Sequence, residues 1–208
     1  MPIRKQTGIV LSFEASNKVD IIHTLRSLSF SIDAVHIKLP VLLRESVQII
    51  RELKSFMNEV SSYKPIIIDY RLEPSELDSL KAISRMFKEE GAYGMTIMAL
   101  YGETFIKLCK KETEIGIFAI VDVGIPSFKN RFNDSLVIEN AVFARDNGCE
   151  GVIVTSKHLE RIKKVRDTIG KGFHILSTLE EGAKQGDAIL AGADFEIIPQ
   201  NFFRSTNF

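Results

Sequence analysis

The chain has 208 residues, 45% of them hydrophobic, enough for a sizeable core in one large domain or two small ones. Its 27 Lys+Arg are matched by 27 Asp+Glu. That neutrality speaks against a nucleic-acid or polyanion binder, and the lack of an ~18-residue apolar run or a signal-peptide core points to a cytoplasmic protein.

Residues 8–13 read as a first strand that ends at Glu14. Asn17 is placed to cap a helix over residues 18–28, whose Val19, Ile22, Leu25 and Leu28 fall at helical spacing. Residues 34–38 form a second strand, stopped by Pro40, and residues 44–57 a long helix with Val47, Ile50, Leu53 and Met57 on one stripe. Then come three consecutive isoleucines, Ile66, Ile67 and Ile68. An unbroken β-branched run fits a strand covered on both faces, as in a parallel sheet. It ends at Asp69, after which Arg71 and Glu73 alternate with apolar or neutral residues. If the strand conformation continues, all three charges point the same way.

Pro74 and Ser75 open a helix over residues 76–89, closed by Gly91. Residues 95–98 are a fourth strand, 102–111 a short helix, and 115–123 a fifth strand carrying Asp122 near its end. The stretch 123–133 is the longest loop. Residues 135–146 are a helix ended by Asn147 and Gly148, and 152–154 a sixth strand. Ser156 is read as the cap of a basic helix over 159–169, followed by strand seven at 173–176. A short helix at 186–190 and strand eight at 195–198 complete the set. Eight short apolar strands alternating with helices argue for parallel βαβ units and a minimal (β/α)8 barrel spanning residues 1–208 as one domain. A doubly wound open sheet is the alternative, but residues 12–17 lack the glycine-rich phosphate turn that such folds place after strand one. With so few residues after Ile198, an eighth helix is short or missing, and residues 1–7 or a partner subunit would cover that flank.

A barrel gathers the C-terminal ends of its strands around one pocket. Those ends supply Glu14, His36, Lys38, Asp69, Arg71, Glu73, Asp122, Ser156, Gln200 and Asn201. Mixed acids and bases there suit proton transfer, and they suit a structural ion pair equally well. His23, His36, His158 and His174 are scattered, with no pair at metal-ligand spacing, and only His36 lies beside the charged strand ends. Cys109 and Cys149 are read as reduced structural thiols rather than a disulfide or zinc pair.

With its strand ends laid out, the chain resembles the orotidine 5′-monophosphate decarboxylase family in its short archaeal form, from about Gly8 to Phe203. The resemblance rests on the strand ending in Glu14, on His36 four residues before Pro40, and on Asp69-Tyr70-Arg71 at the family's Asp-x-Lys-x-x-Asp. Residues 91–97 and 186–194 carry it further. It implies a (β/α)8 barrel of the ribulose-phosphate-binding type, a carboxy-lyase converting orotidine monophosphate to uridine monophosphate without a cofactor or metal, and a homodimer with its barrel mouths near each other. Carried over, Asp69, Arg71, His36, Lys38 and Glu73 become the catalytic positions. Glu14, Gln185, Gln200 and Asn201 become substrate positions. The sequence departs from the family pattern at several of these. Arg71 stands for the signature Lys and Pro74 for the second Asp, unless a one-residue shift brings in Glu73. His36 stands for the strand-two Lys, unless Lys38 reaches in, and Pro199-Gln200 replaces the phosphate-binding Gly-Arg. The phosphate loop reads either through Glu180 and Glu181 or, with a gap, through Gln185. Three functions remain open: the family decarboxylase, a barrel that has lost this chemistry and binds another small ligand or a protein, and a metal-dependent sugar-phosphate branch of the same superfamily.

Overall fold

The computed structural model describes residues 3, 5–71, 76–122 and 133–205. The strands are β1 (Ile9–Phe13), β2 (Ala34–Lys38), β3 (Ile66–Asp69), β4 (Gly94–Met98), β5 (Gly116–Ile120), β6 (Gly151–Thr155), β7 (His174–Thr178) and β8 (Phe195–Pro199). All pair in parallel with their sequence neighbours, and β8 pairs with β1, so the sheet is a closed barrel. Closure rules out the open-sheet alternative and matches the (β/α)8 fold expected from the sequence. Between the strands run α1 (Lys18–Leu28), α2 (Leu39–Glu45), α3 (Ile49–Glu59), α4 (Leu77–Glu90), α5 (Glu103–Thr113), α6 (Asp134–Asp146), α7 (Leu159–Ile169) and α8 (Asp187–Leu190). After β8 comes α9 (Gln200–Ser205), the short eighth cover, which packs on β1 and β8.

The period-2 alternation of each strand sorts its residues into two layers. One set faces the helices, with Leu11, Val35, Ile68, Ile117 and Val152 among them. The other fills the barrel: Val10, Ala34, Ile67, Phe118, Ile120, Ile153, Leu176, Phe195 and Ile197. Ile3 closes the inner cluster from the N-terminal side, where Asp33 accepts hydrogen bonds from the backbone N–H groups of Gln6, Thr7 and Gly8. Inward-facing glycines make room for the large rings. A Cβ on Gly94 would stand 2.8 Å from the Phe118 ring and 2.9 Å from the Gly116 carbonyl oxygen.

Three local expectations change. The helix expected over residues 44–57 is two helices, α2 and α3, broken at Ser46 with φ 65° and ψ 169°. Pro40 therefore opens α2 in its first turn rather than only ending β2. Ile50, Leu53 and Met57 still face the core, so the apolar stripe was real but did not require one continuous helix. Ser156 does not cap α7, whose N-cap position is His158; the Ser156 hydroxyl instead accepts a hydrogen bond from the Glu180 N–H at 3.1 Å. Strand five ends at Ile120, so Asp122 sits just past it. Asn17 caps α1 as expected, accepting from the Asp20 N–H at 2.9 Å. Pro74, Ser75 and the loop residues 123–132 lie outside the described residues.

Candidate functional site

Inward parity places Ser12, His36, Asp69 and Thr96 in one polar layer above the apolar barrel core, in the register Ser12↔His36 and His36↔Ile67. Asp69 is buried. Arg71 Nε donates to both of its carboxylate oxygens, at 3.0 and 2.9 Å, and the Thr96 hydroxyl donates to Oδ1 at 2.8 Å. Burial pushes the Asp69 carboxyl up, but the His36 and Arg71 charges and the hydrogen bonds from Arg71 and Thr96 outweigh it and hold it below its usual value. His36 is fully buried, and burial lowers its pKa from 6.5 to about 4 despite the nearby Asp69 charge. Near neutral pH the ring is therefore uncharged, and the Arg71 and Thr96 contacts are what keep Asp69 ionised. The His36 Nδ1 is 3.0 Å from the Ser12 hydroxyl, while its Nε2 is 3.8 Å from Asp69 Oδ2, too far for a hydrogen bond. Higher in the mouth, Lys38 pairs with Glu14.

The opposite wall is built from β5, β6 and β7. Asp122 is buried, with Oδ1 held by Arg161 at 2.9 Å from behind, on α7. The same arginine pairs with Asp134 at the start of α6, also at 2.9 Å. Lys164 joins it at 2.6 Å, and these hydrogen bonds lower the Asp134 carboxyl. Glu180, just past β7, accepts from the Thr155 hydroxyl at 3.3 Å and the Thr178 hydroxyl at 3.0 Å. Both walls bound a cavity of about 140 Å³ whose lining includes Ser12, Glu14, His36, Lys38, Arg71, Asp122, Thr178 and Glu180.

Not every residue singled out in the sequence reaches this cavity. Gln200 is buried beneath α1, where its amide bonds Ser16 and donates to Thr24 Oγ1 at 2.5 Å. With exposed Asn201 it borders a separate recess beside Glu14. Gln185 is exposed on the turn before α8, and Leu179 and Glu180 are the residues past β7 that line the cavity. Glu73 lies outside the described residues. The sequence reading overlooked Ser12, Thr96, Thr155 and Arg161. For the first three a signal existed: a hydroxyl residue at inward parity inside an apolar strand. Among the described residues, no three His, Cys, Asp or Glu side chains gather as a metal site, and no helix is long and apolar enough to cross a membrane. Cys109 and Cys149 are free and buried, and burial pushes their thiols up to about 11 and about 12.

No protein-family model matches the chain. It is 23% identical over 208 residues to the orotidine 5′-phosphate decarboxylase of Methanosarcina mazei, covering 98% of this chain and 90% of that protein. The crystal structure of the orotidine 5′-phosphate decarboxylase from Pyrococcus horikoshii superposes with a TM-score of 0.82 at 25% identity, covering 96% of this chain and 92% of that one. This chain resembles the orotidine 5′-monophosphate decarboxylase family. The Sulfolobus solfataricus enzyme repeats the fold at 18% identity, with a TM-score of 0.77 and coverage of 97% of this chain and 92% of that one. The likeness runs through nearly the whole barrel.

Proposed function

We propose that this barrel binds a small ligand at its mouth and has lost the orotidine monophosphate decarboxylation for which its relatives are named. The charge of the mouth carries the reading. Among the described residues, Glu14, Asp122 and Glu180 line the cavity with Lys38 and Arg71 as its lysine and arginine, and those two charges are already balanced by Glu14 and Asp69. A nucleotide phosphate brings a charge near −2. Two like unit charges about 5 Å apart repel by about 3 kcal/mol at an effective dielectric of ~20, so Glu180 opposes a phosphate rather than gripping it. The chemistry is compromised as well. Both oxygens of Asp69 are occupied by Arg71, and a guanidinium is not a proton donor in proteins.

The carboxy-lyase reading is the second one. It is favoured by a single observation, the buried and ionised Asp69 at the mouth of β3. Titration with uridine monophosphate and 6-azauridine monophosphate, alongside a turnover assay with orotidine monophosphate, separates the two. Lost function predicts no submillimolar affinity and no carbon dioxide release. Either signal would restore the decarboxylase reading.

The proposal includes a cytoplasmic homodimer with its mouths close together. Its support is apolar surface at the mouth end: Leu43 and Leu100, in the segments leaving β2 and β4, are 78% and 55% exposed. Burying such side chains contributes ~25 cal/mol per Å². Sedimentation should show a dimer at micromolar concentration, and a monomer there would remove this part.

A further inference from the structure

We propose that the mouth takes a small zwitterion of the amino-acid class, its ammonium on the β5–β7 wall and its carboxylate on Arg71. The inference rests on reading the mouth as a ligand site and gives that ligand a chemistry.

The first observation is an unused acceptor. The Asp122 side chain is 1% exposed, and its Oδ1 meets Arg161, yet its Oδ2 has no hydrogen-bond partner among the described residues. A buried carboxylate oxygen without a donor is costly, and Asp122 lines the cavity. A small turn of the carboxylate towards the cavity would let a ligand N–H satisfy it. Glu180 adds a second carboxylate on the same side. Strand register puts Thr155 of β6 opposite Thr178 of β7, and both hydroxyls steady one Glu180 oxygen. The other oxygen is 3.8 Å from Lys157 Nζ, a distance that leaves room for a closer cation. Two carboxylates on either side of β6, past the ends of β5 and β7, one with an unfilled buried oxygen, select a positively charged donor.

The second observation is an unused fork. Arg71 spends its Nε on Asp69, while its two terminal nitrogens have no partner among the described residues. The side chain is 41% exposed and lines the cavity. A guanidinium edge of this kind matches a carboxylate in two-point geometry. His36 Nε2 is a second buried polar atom, on a residue lining the same cavity, without a hydrogen bond among the described residues.

Size agrees with charge. At ~10–15 Å³ of accessible space per water, the cavity of about 140 Å³ holds on the order of ten waters. Strands β3 and β5 flank β4, so they stand roughly 10 Å apart. Arg71 and Asp122 follow those two strands and line the same cavity, across which a molecule whose two charges are a few carbons apart can extend.

The test is calorimetric titration of the full chain with L-serine, β-alanine and 4-aminobutyrate, each compared with the single-charge probes ethylamine and acetate and with uridine monophosphate. At least one zwitterion should bind about tenfold or more tighter than both single-charge probes. Asp122→Asn and Arg71→Gln should each weaken it by about tenfold or more. Glu180→Gln, at a partly exposed position, repeats the test should Asp122→Asn not fold. Zwitterions that fail to bind, or that bind no tighter than ethylamine or acetate, overturn the inference. If a single-charge probe binds alone, the mouth is still a ligand site of another class. Uridine monophosphate binding alone would instead overturn the reading of the mouth given under Proposed function.

Discussion

The His36 ring is held by the Ser12 hydroxyl at one nitrogen and is buried at both, which is why its pKa falls from 6.5 to about 4. The unfolded chain therefore binds more protons than the folded one between those two values. Stability is fully present above about pH 6.5 and falls as pH drops towards 4, by about 3 kcal/mol in all for a shift of this size. Chemical denaturation at pH 7.5 and pH 4.5 should show the loss, and His36→Gln should flatten that part of the profile. A reaction rate that declines between pH 6 and 7 would need a histidine titrating there, and this one does not. Thr96 supports the neighbouring acid. Thr96→Val removes a buried hydroxyl that donates to Asp69, and should cost about 1–3 kcal/mol in urea unfolding.

Among the elements, Ser46 is the most informative. At φ 65° and ψ 169° it occupies a region that glycine tolerates and other residues enter with strain of about 1–3 kcal/mol. Ser46→Gly relieves that strain, against an unfolded-state entropy penalty of about 0.5–1 kcal/mol. The melting temperature should rise by a few degrees; an unchanged or lower value would mean that the break between α2 and α3 is unstrained. The same residue shows why the sequence revealed one helix where there are two. Val47, Ile50, Leu53 and Met57 keep a helical stripe, and periodicity reports which side is buried without recording a kink at a serine. Strands were easier to read because Ile66–Ile68 and Val152–Val154 are apolar on both faces and must be covered. At the site, Asp69, Arg71 and His36 were visible because strand ends expose parity directly. Which donors serve the acids was not. Thr96, which donates to Asp69, lies 27 residues beyond it, and Arg161, which holds Asp122, projects from a helix that looked merely basic.

At the scale of the whole molecule, the barrel closes around rings that fit only beside glycine. Gly94→Ala would force a methyl to 2.8 Å from Phe118 and 2.9 Å from a backbone oxygen that cannot move away cheaply. Overpacking of this kind costs about 1–3 kcal/mol and should appear as a lower denaturation midpoint with an unchanged slope. Arg161 acts over a comparable range. It grips Asp122, where β5 ends, and Asp134, where α6 begins, so one side chain sets the separation of two points on either side of residues 123–132. Those two aspartates are fixed posts. One guanidinium between two carboxylates is a rivet joining strand end to helix start. Arg161→Gln would release both at once, and the melting temperature should fall by several degrees while Lys164→Gln, which touches Asp134 alone, should cost less.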